Sequence, residues 1–235
     1  MARYDAGPAW FRTPGGRSVL VYVREGTNDW NTANASLTED EYQTRGLSIT
    51  GTFLDIGGYL GTVALGILVD NPESRAIIVE PLPENRALIV RNLEANDVAH
   101  RAQLLAGVVG TGEVTISYAF TGSENDLHHA FVGNAYGGDH MGEHREVTYT
   151  ALRYRDITHE DVGFVKIDCE GGEWGILGEL TGVPLIVGEI HPVPLPDGET
   201  GSRERLERIL GATHDIAYGA EPGEPAAWGF RAVRR

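Results

Sequence analysis

The chain has 235 residues, 41% of them hydrophobic and 23% charged, with a formal net charge of −15 at pH 7. That composition suits one globular domain with appendages, and its acidity argues against nucleic acid or an anionic membrane as main partner, since both need a basic face. A single cysteine, Cys169, permits no internal disulfide, the N-terminus lacks an apolar signal core, and no apolar run nears the ~20 residues of a membrane span, so a cytoplasmic protein is expected.

In chain order, residues 18–24 alternate as a strand does. Ser36-Leu-Thr-Glu39 has the form of a capping box and predicts a short helix through Tyr42 to Arg45. This leader, residues 1–50, is expected to form a lid or extra layer before a cofactor-binding domain of residues 51–235. There strand 52–55 leads to helix 60–70, strand 76–79 to helix 83–95, and strand 103–109 follows. Further strands are predicted at 113–120, 147–152 and 163–167, then helix 173–180, strand 184–190, helix 202–211 and closing strands near 213–218 and 228–233. The alternation predicts an α/β fold, a mostly parallel sheet with helices on both faces. Such sheets bind ligands beyond the carboxyl ends of their strands, so Asp55, Glu80, Lys166, Asp168 and Glu189 are expected on one edge.

Residues 121–146 break the pattern, with five glycines and the histidines His128, His129, His140 and His144. Long loops in compact domains are usually functional or disordered, and a flap over the substrate is expected. His140 and His144 have i, i+4 spacing, but Gly142 lies between them and no Glu completes a metal-binding motif. A solvated pair is therefore preferred to a base or a metal site.

The most informative signal is Phe53-Leu-Asp-Ile-Gly-Gly-Tyr-Leu-Gly61, an apolar strand ending in Asp55 with Gly57, Gly58 and Gly61 opening a helix. Strand, glycine turn and helix bring backbone N–H groups against a nucleotide-like cofactor. The dinucleotide pattern Gly-x-Gly-x-x-Gly fails: from Gly57 the later positions hold Tyr59 and Thr62, and from Gly58 they hold Leu60 and Val63. An acid precedes the turn instead. It would repel a pyrophosphate but suits the ammonium and sulfonium of S-adenosylmethionine (SAM). One βα unit later a strand ends in Glu80, where an acid accepts hydrogen bonds from ribose hydroxyls. Capping of the helix near Pro83 is the alternative role.

Lys166-Ile-Asp-Cys-Glu-Gly-Gly-Glu173 is the second cluster, and Lys166 is the sole lysine among 19 basic residues. Lys166 and Asp168 share a strand face. Asp168, Glu170 and Glu173 crowd one strand end and raise one another's proton affinity unless Lys166, the sulfonium or a divalent metal balances them. Glu189 and His191 share a face at the next strand end. His191 is the first candidate for general base, ahead of Asp168 and a flap histidine, with activity expected to rise as it loses its proton near pH 6.5. A divalent ion such as Mg²⁺ on Asp168, Glu189 and His191 is the alternative, since a metal lowers the pKa of a bound hydroxyl.

These blocks, with Val79-Glu-Pro-Leu-Pro-Glu-Asn85 and Asn92 between them, resemble the three signature blocks of the FkbM family of SAM-dependent methyltransferases. Arg24-Glu-Gly-Thr-Asn-Asp29 and Glu41-Tyr42 resemble the segment preceding that family's core, so the resemblance covers roughly residues 20–190. It implies a class I methyltransferase fold, a seven-stranded Rossmann-like sheet, and O-methylation of sugars or other metabolites in microbial biosynthesis. It implies Asp55, Gly57, Gly61 and Glu80 as SAM residues, with Gly58, Tyr59, Pro81 and Asn85 beside them. Lys166, Asp168, Glu170 and Glu173 form the family's second signature, on the catalytic and substrate side. Family members often carry Ala-Asn where this chain has Gly58-Tyr59, so Tyr59 is expected to reshape the methionine end. The expected activity is methyl transfer from SAM to a hydroxyl of a small metabolite. N-methylation and a non-catalytic nucleotide-binding module are the alternatives, and a homo-oligomer is left open.

Overall fold

The computed structural model describes residues 5–119, 131–132, 144–158, 161–219 and 228–235. The chain opens with an antiparallel hairpin, β1 (Ala6–Arg12) and β2 (Ser18–Arg24), followed by helix α1 (Asp29–Ala33), which widens into a π-type turn over Asn34–Glu39. Ser36 is therefore inside a helical stretch and does not start one. Its hydroxyl bonds back to Thr32 O and across to Thr62 Oγ1, which leaves no cap for a helix beyond it.

Next come β3 (Gly51–Ile56), α2 (Thr62–Asp70), β4 (Ser74–Glu80), α3 (Pro83–Ala95) and β5 (Ala102–Ala106). Then follow β6 (Glu113–Ala119), β7 (Phe131–Val132), β8 (His144–Thr150), the single-turn α4 (Tyr154–Ile157), β9 (Phe164–Ile167) and β10 (Leu185–Ile190). Helix α5 (Arg203–Leu210) and strands β11 (His214–Tyr218) and β12 (Trp228–Arg234) close the chain. Seven strands form one sheet in the order β11-β12-β10-β9-β3-β4-β5, parallel except for β12, which runs antiparallel to β10 and β11.

Two further expectations change. The strands predicted at 113–120 and 147–152 do not extend the parallel sheet; β6 pairs antiparallel with β7 and β8 in a sheet of its own. Its Thr115 and Thr148 hydroxyls bond each other at the solvent side, whereas a strand of a parallel sheet is buried on both faces. The helix predicted at 173–180 is two 3₁₀ turns, Gly172–Gly175 and Leu177–Leu180. Gly175 and Gly178 within that span explain the difference, because each costs an α-helix about 1 kcal/mol relative to alanine.

Strand β3 buries both faces. Phe53 packs with α2, α3 and the hairpin, while Leu54 and Ile56 pack with α5 and the 3₁₀ turns. Val19, Val21, Ala33 and Leu37 share the first of these cores, so the leader is a layer of the same packed body. Asn92 fastens it, accepting from Tyr22 N and donating to Leu60 O in the glycine turn. The chain runs outward from β3 to β5 and restarts at β9 on the other side of β3. The carboxyl ends of β3 and β9 thus flank a topological switch point. Among the described residues no helix is long and apolar enough to cross a membrane.

The turn after β3 admits no side chain at its first glycine. Gly57 has φ 80°, and a Cβ there would stand 1.7 Å from Asp168 O. Gly57→Ala is expected to cost more than about 3 kcal/mol, measured as a lowered urea midpoint. An unchanged midpoint would contradict this close approach.

Candidate active site

Asp55 and Lys166 are register partners on adjacent parallel strands, so their side chains leave the sheet together. Lys166 Nζ lies 3.3 Å from Asp55 Oδ1 and donates to Gly57 O at 2.7 Å. Asp55 Oδ2 accepts from Ala64 N in the first turn of α2 at 3.2 Å. Asp55 is wholly buried, and its carboxylate binds strand, glycine turn and helix start into one unit. Burial pulls the Lys166 pKa down, but Asp55 and Asp168 outweigh it, and the net shift is upward. The ammonium stays charged.

Glu80 braces the same turn from the next strand. Its Oε2 accepts from Tyr59 N at 2.8 Å, and its Oε1 accepts from Leu82 N at 2.9 Å and Asn85 Nδ2 at 3.2 Å. Tyr59, at φ 48°, turns its hydroxyl to Asp29 Oδ1 at 2.6 Å. Asp29 pairs with Arg24 at 2.8 Å, and Arg24 donates to Asn85 Oδ1 at 3.0 Å, so the leader is wired to the turn through buried charge. An acid at a strand tip would be expected to support little of the fold, but this one satisfies three donors. Glu80→Ala is expected to destabilise by about 2–4 kcal/mol, because it strands buried N–H groups. Urea unfolding checks this, and a loss below measurement error would refute it.

At the end of β10, Glu173 Oε1 accepts from His191 N at 2.7 Å and faces His191 Nδ1 at 3.1 Å; its Oε2 accepts from Gly171 N at 3.0 Å. Glu170 Oε2 is 3.2 Å from His191 Nε2. Burial lowers the imidazole pKa, but the bond to Glu173 and the charges of Glu173 and Glu170 dominate and raise it to about 10. His191 is therefore an imidazolium at neutral pH. This corrects the expectation of a free base titrating near 6.5. Ligand atoms of Asp168, Glu170 and His191 lie within 4.8 Å of one another, so Glu170 stands where the sequence suggested Glu189. Both ring nitrogens already face carboxylates, and His191 could ligate a cation only after giving up its proton.

Over the glycine turn lies a cleft of about 870 Å³, counted out to its open mouth, within the usual range for small-molecule sites. Its lining is apolar at Val79, Pro81, Val108, Val109 and Ile116 and polar at Glu41, Tyr42, Lys166, Asp168 and Glu170; strand order sets the tips of β4 and β5 on one side of the β3 turn and that of β9 on the other. Gly57, Gly58, Tyr59, Glu80, Pro81 and Asn85 also line it. Asp55, Gly61, Glu173, Glu189 and His191 are not among its lining residues. A smaller hollow shares Glu41 and Tyr42 with the cleft and adds Glu189, Phe230 and Arg231. Burial, then Glu189 and Asp168, push Glu41 up to about 8, although its outer flank is in solvent and that exposure tempers the shift. Burial and Asp168 push Glu189 up to about 7.

His128, His129 and His140 of the expected flap lie outside the described residues, and His144 opens β8 with only its backbone described. Sequence reasoning missed the contact between Tyr42 and Asp168, in which the phenol donates to Oδ2 at 2.7 Å across 126 residues. It also missed the apolar recess of Val108, Val109 and Ile116. No spacing signals either, since both arise where distant segments meet.

A doubly wound sheet with a glycine turn after its central strand, an acid ending the next strand and a cleft at the switch point defines a binder of a nucleotide-like cofactor. Residues 55–217 match the family model described as Methyltransferase FkbM domain. The chain belongs to that family and is a methyltransferase, for which SAM is the expected cofactor. Among solved structures it is similar to precorrin-6y C5,15-methyltransferase from Geobacter metallireducens GS-15, with 14% identity, a TM-score of 0.47, and coverage of 85% of this chain and 88% of that one. It is also similar to an O-methyltransferase family protein from Burkholderia thailandensis, with 13% identity, a TM-score of 0.49, and coverage of 88% and 59%. No curated protein matches the sequence.

Proposed function

We propose that this methyltransferase moves the methyl group of SAM to a hydroxyl of a small metabolite, a sugar or another natural-product intermediate. The lining of the cleft carries the reading: apolar side chains beyond β4 and β5, acids beyond β9, and the glycine turn after β3 between them. An adenine ring gains from the recess of Val79, Pro81, Val108 and Ile116. A sulfonium and an ammonium gain from the acids Asp168 and Glu170 beyond β9. Glu80 spends three acceptor sites on the protein and, with about four in a carboxylate, keeps one for a ribose hydroxyl. The residues therefore suit SAM.

SAM, when bound, supplies a methyl carbon made electrophilic by its sulfonium. The chain's own part is to orient the acceptor oxygen and take its proton. We assign that proton to the Asp168 carboxylate as the oxygen–carbon bond forms and the carbon–sulfur bond breaks. A metal-free site is favoured, because a cation on Asp168, Glu170 and His191 must displace a proton held to about pH 10, which costs about 4 kcal/mol at neutral pH. The same acids would attract an ammonium-bearing acceptor, and N-methylation is the second reading.

Calorimetric titration with S-adenosylhomocysteine (SAH) and with NAD tests the cofactor. SAH is expected to bind and NAD not; NAD binding without a response to SAH would end the reading. A panel of small alcohols and amines, followed by mass spectrometry in chelator, tests the rest. Turnover lost in chelator and restored by Mg²⁺ would replace the carboxylate base with a metal.

A further inference from the structure

Glu41 and Tyr42 are common to the cofactor cleft and the smaller hollow beside it. Tyr42 is 9% exposed, its ring lies 5.3 Å from Lys166 Nζ, and its hydroxyl donates to Asp168 Oδ2 at 2.7 Å. The Asp168 main chain is fixed separately, its N–H donating to Ile56 O at 3.1 Å. The phenol bond thus acts on where the carboxylate points. The segment that presents Tyr42 is held tightly. Asp40 and Gln43 flank it with φ 58° and 52°, although neither is glycine, and such conformations persist only where their surroundings enforce them. Here Asp40 accepts from Thr44 N at 2.6 Å and from Gln43 N at 2.8 Å, and Arg231 donates to Gln43 O at 3.3 Å.

We infer that Tyr42 is a positioning residue for methyl transfer, aiming the Asp168 carboxylate at the junction of the cofactor cleft and the smaller hollow, where the acceptor meets the methyl group. The inference rests on the cofactor reading above and adds the side from which the acceptor approaches. Burial keeps the phenol protonated, with Asp168 adding to that shift, so the hydroxyl remains a donor throughout the working pH range. A tyrosine that only filled space would leave the carboxylate indifferent to the loss of one oxygen.

The test compares the parent with Tyr42→Phe, Asp168→Asn and the double variant. SAH affinity is measured first, and Tyr42→Phe is expected to lie within about threefold of the parent, as for a substitution that keeps the packed ring. SAM labelled with carbon-13 in its methyl group then reports the junction by NMR without any acceptor. The bound methyl resonance is expected to move in Tyr42→Phe, and to move no further in the double variant than in Asp168→Asn alone, because the hydroxyl acts through that carboxylate. With an acceptor from the panel, kcat is expected to fall about 10- to 100-fold, the scale of a small misplacement of reacting groups, while KM for SAM changes no more than SAH affinity does. An unmoved resonance in a Tyr42→Phe variant that binds SAH overturns the inference. Additive movement in the double variant, or loss of SAH binding on removing the hydroxyl, overturns it as well. Should Tyr42→Phe fail to fold, an unmoved resonance in Asp168→Asn has the same force. If the parent itself ignores SAH, the cofactor reading has failed first and takes this inference with it.

Discussion

Lys166→Met is expected to remove about 3–5 kcal/mol of stability, the cost of breaking a buried ion pair from one side. That is a large share of the 5–15 kcal/mol typical of a domain. Lys166 is 3% exposed, pairs with Asp55, and reaches Gly57 O at 2.7 Å and Ile56 O at 3.4 Å. Methionine fills similar space but strands a buried carboxylate and frees the carbonyl that holds the glycine turn. SAH binding should be lost with the turn. Lys166→Arg is expected to rescue only part, because a planar guanidinium needs a wider seat than a compact ammonium. That fits the survival of one lysine in a chain that otherwise uses arginine. Denaturant unfolding decides the matter, and a Lys166→Met midpoint equal to the parent's would sink it.

Stability is also expected to fall as pH rises through the alkaline range, because of His191. Its pKa is about 6.5 when unfolded and about 10 when folded. Between these values the folded state holds a proton that the unfolded chain has lost, so stability declines with pH there. The contribution is complete below about 6.5 and gone above about 10, and a shift of this size is worth on the order of 4–5 kcal/mol. Glu189 and Glu41, raised to about 7 and about 8, push in the same direction at lower pH. The comparison with Glu173→Gln therefore isolates the imidazole, since that change removes its main partner. Urea midpoints across this range should slope downward in the parent and more weakly in the variant. Equal slopes would mean that the clamp on His191 does not exist.

Much of the architecture follows from local pattern. Strands β3, β4, β9 and β10 and helices α2, α3 and α5 all lie within about two residues of their predicted spans, because apolar periodicity and turn residues act over a few positions. Local glycines account for the missed helix at 173–180, and elsewhere the missed elements are those in which a distant partner overrides the local signal. The capping box at Ser36 is spent on the preceding turn and on Thr62. Strands β6 and β8 look like any others but find each other and not the main sheet.

The residues of the candidate site divide in the same way. The sequence by itself determined the glycine turn, the acids at the strand ends and the family they belong to, because each is a matter of residue type at fixed spacing along one chain segment. Only the tertiary structure decided what those acids face. Asp55 turns to Lys166 and helix α2, Glu80 to the amides of the turn and of the α3 start, and Glu173 to His191, which it converts from a base into a cation. Tyr42 reaches Asp168 across 126 residues. Proton affinity and hydrogen-bond partners depend on burial and on distance through space, and neither is encoded in spacing along the chain.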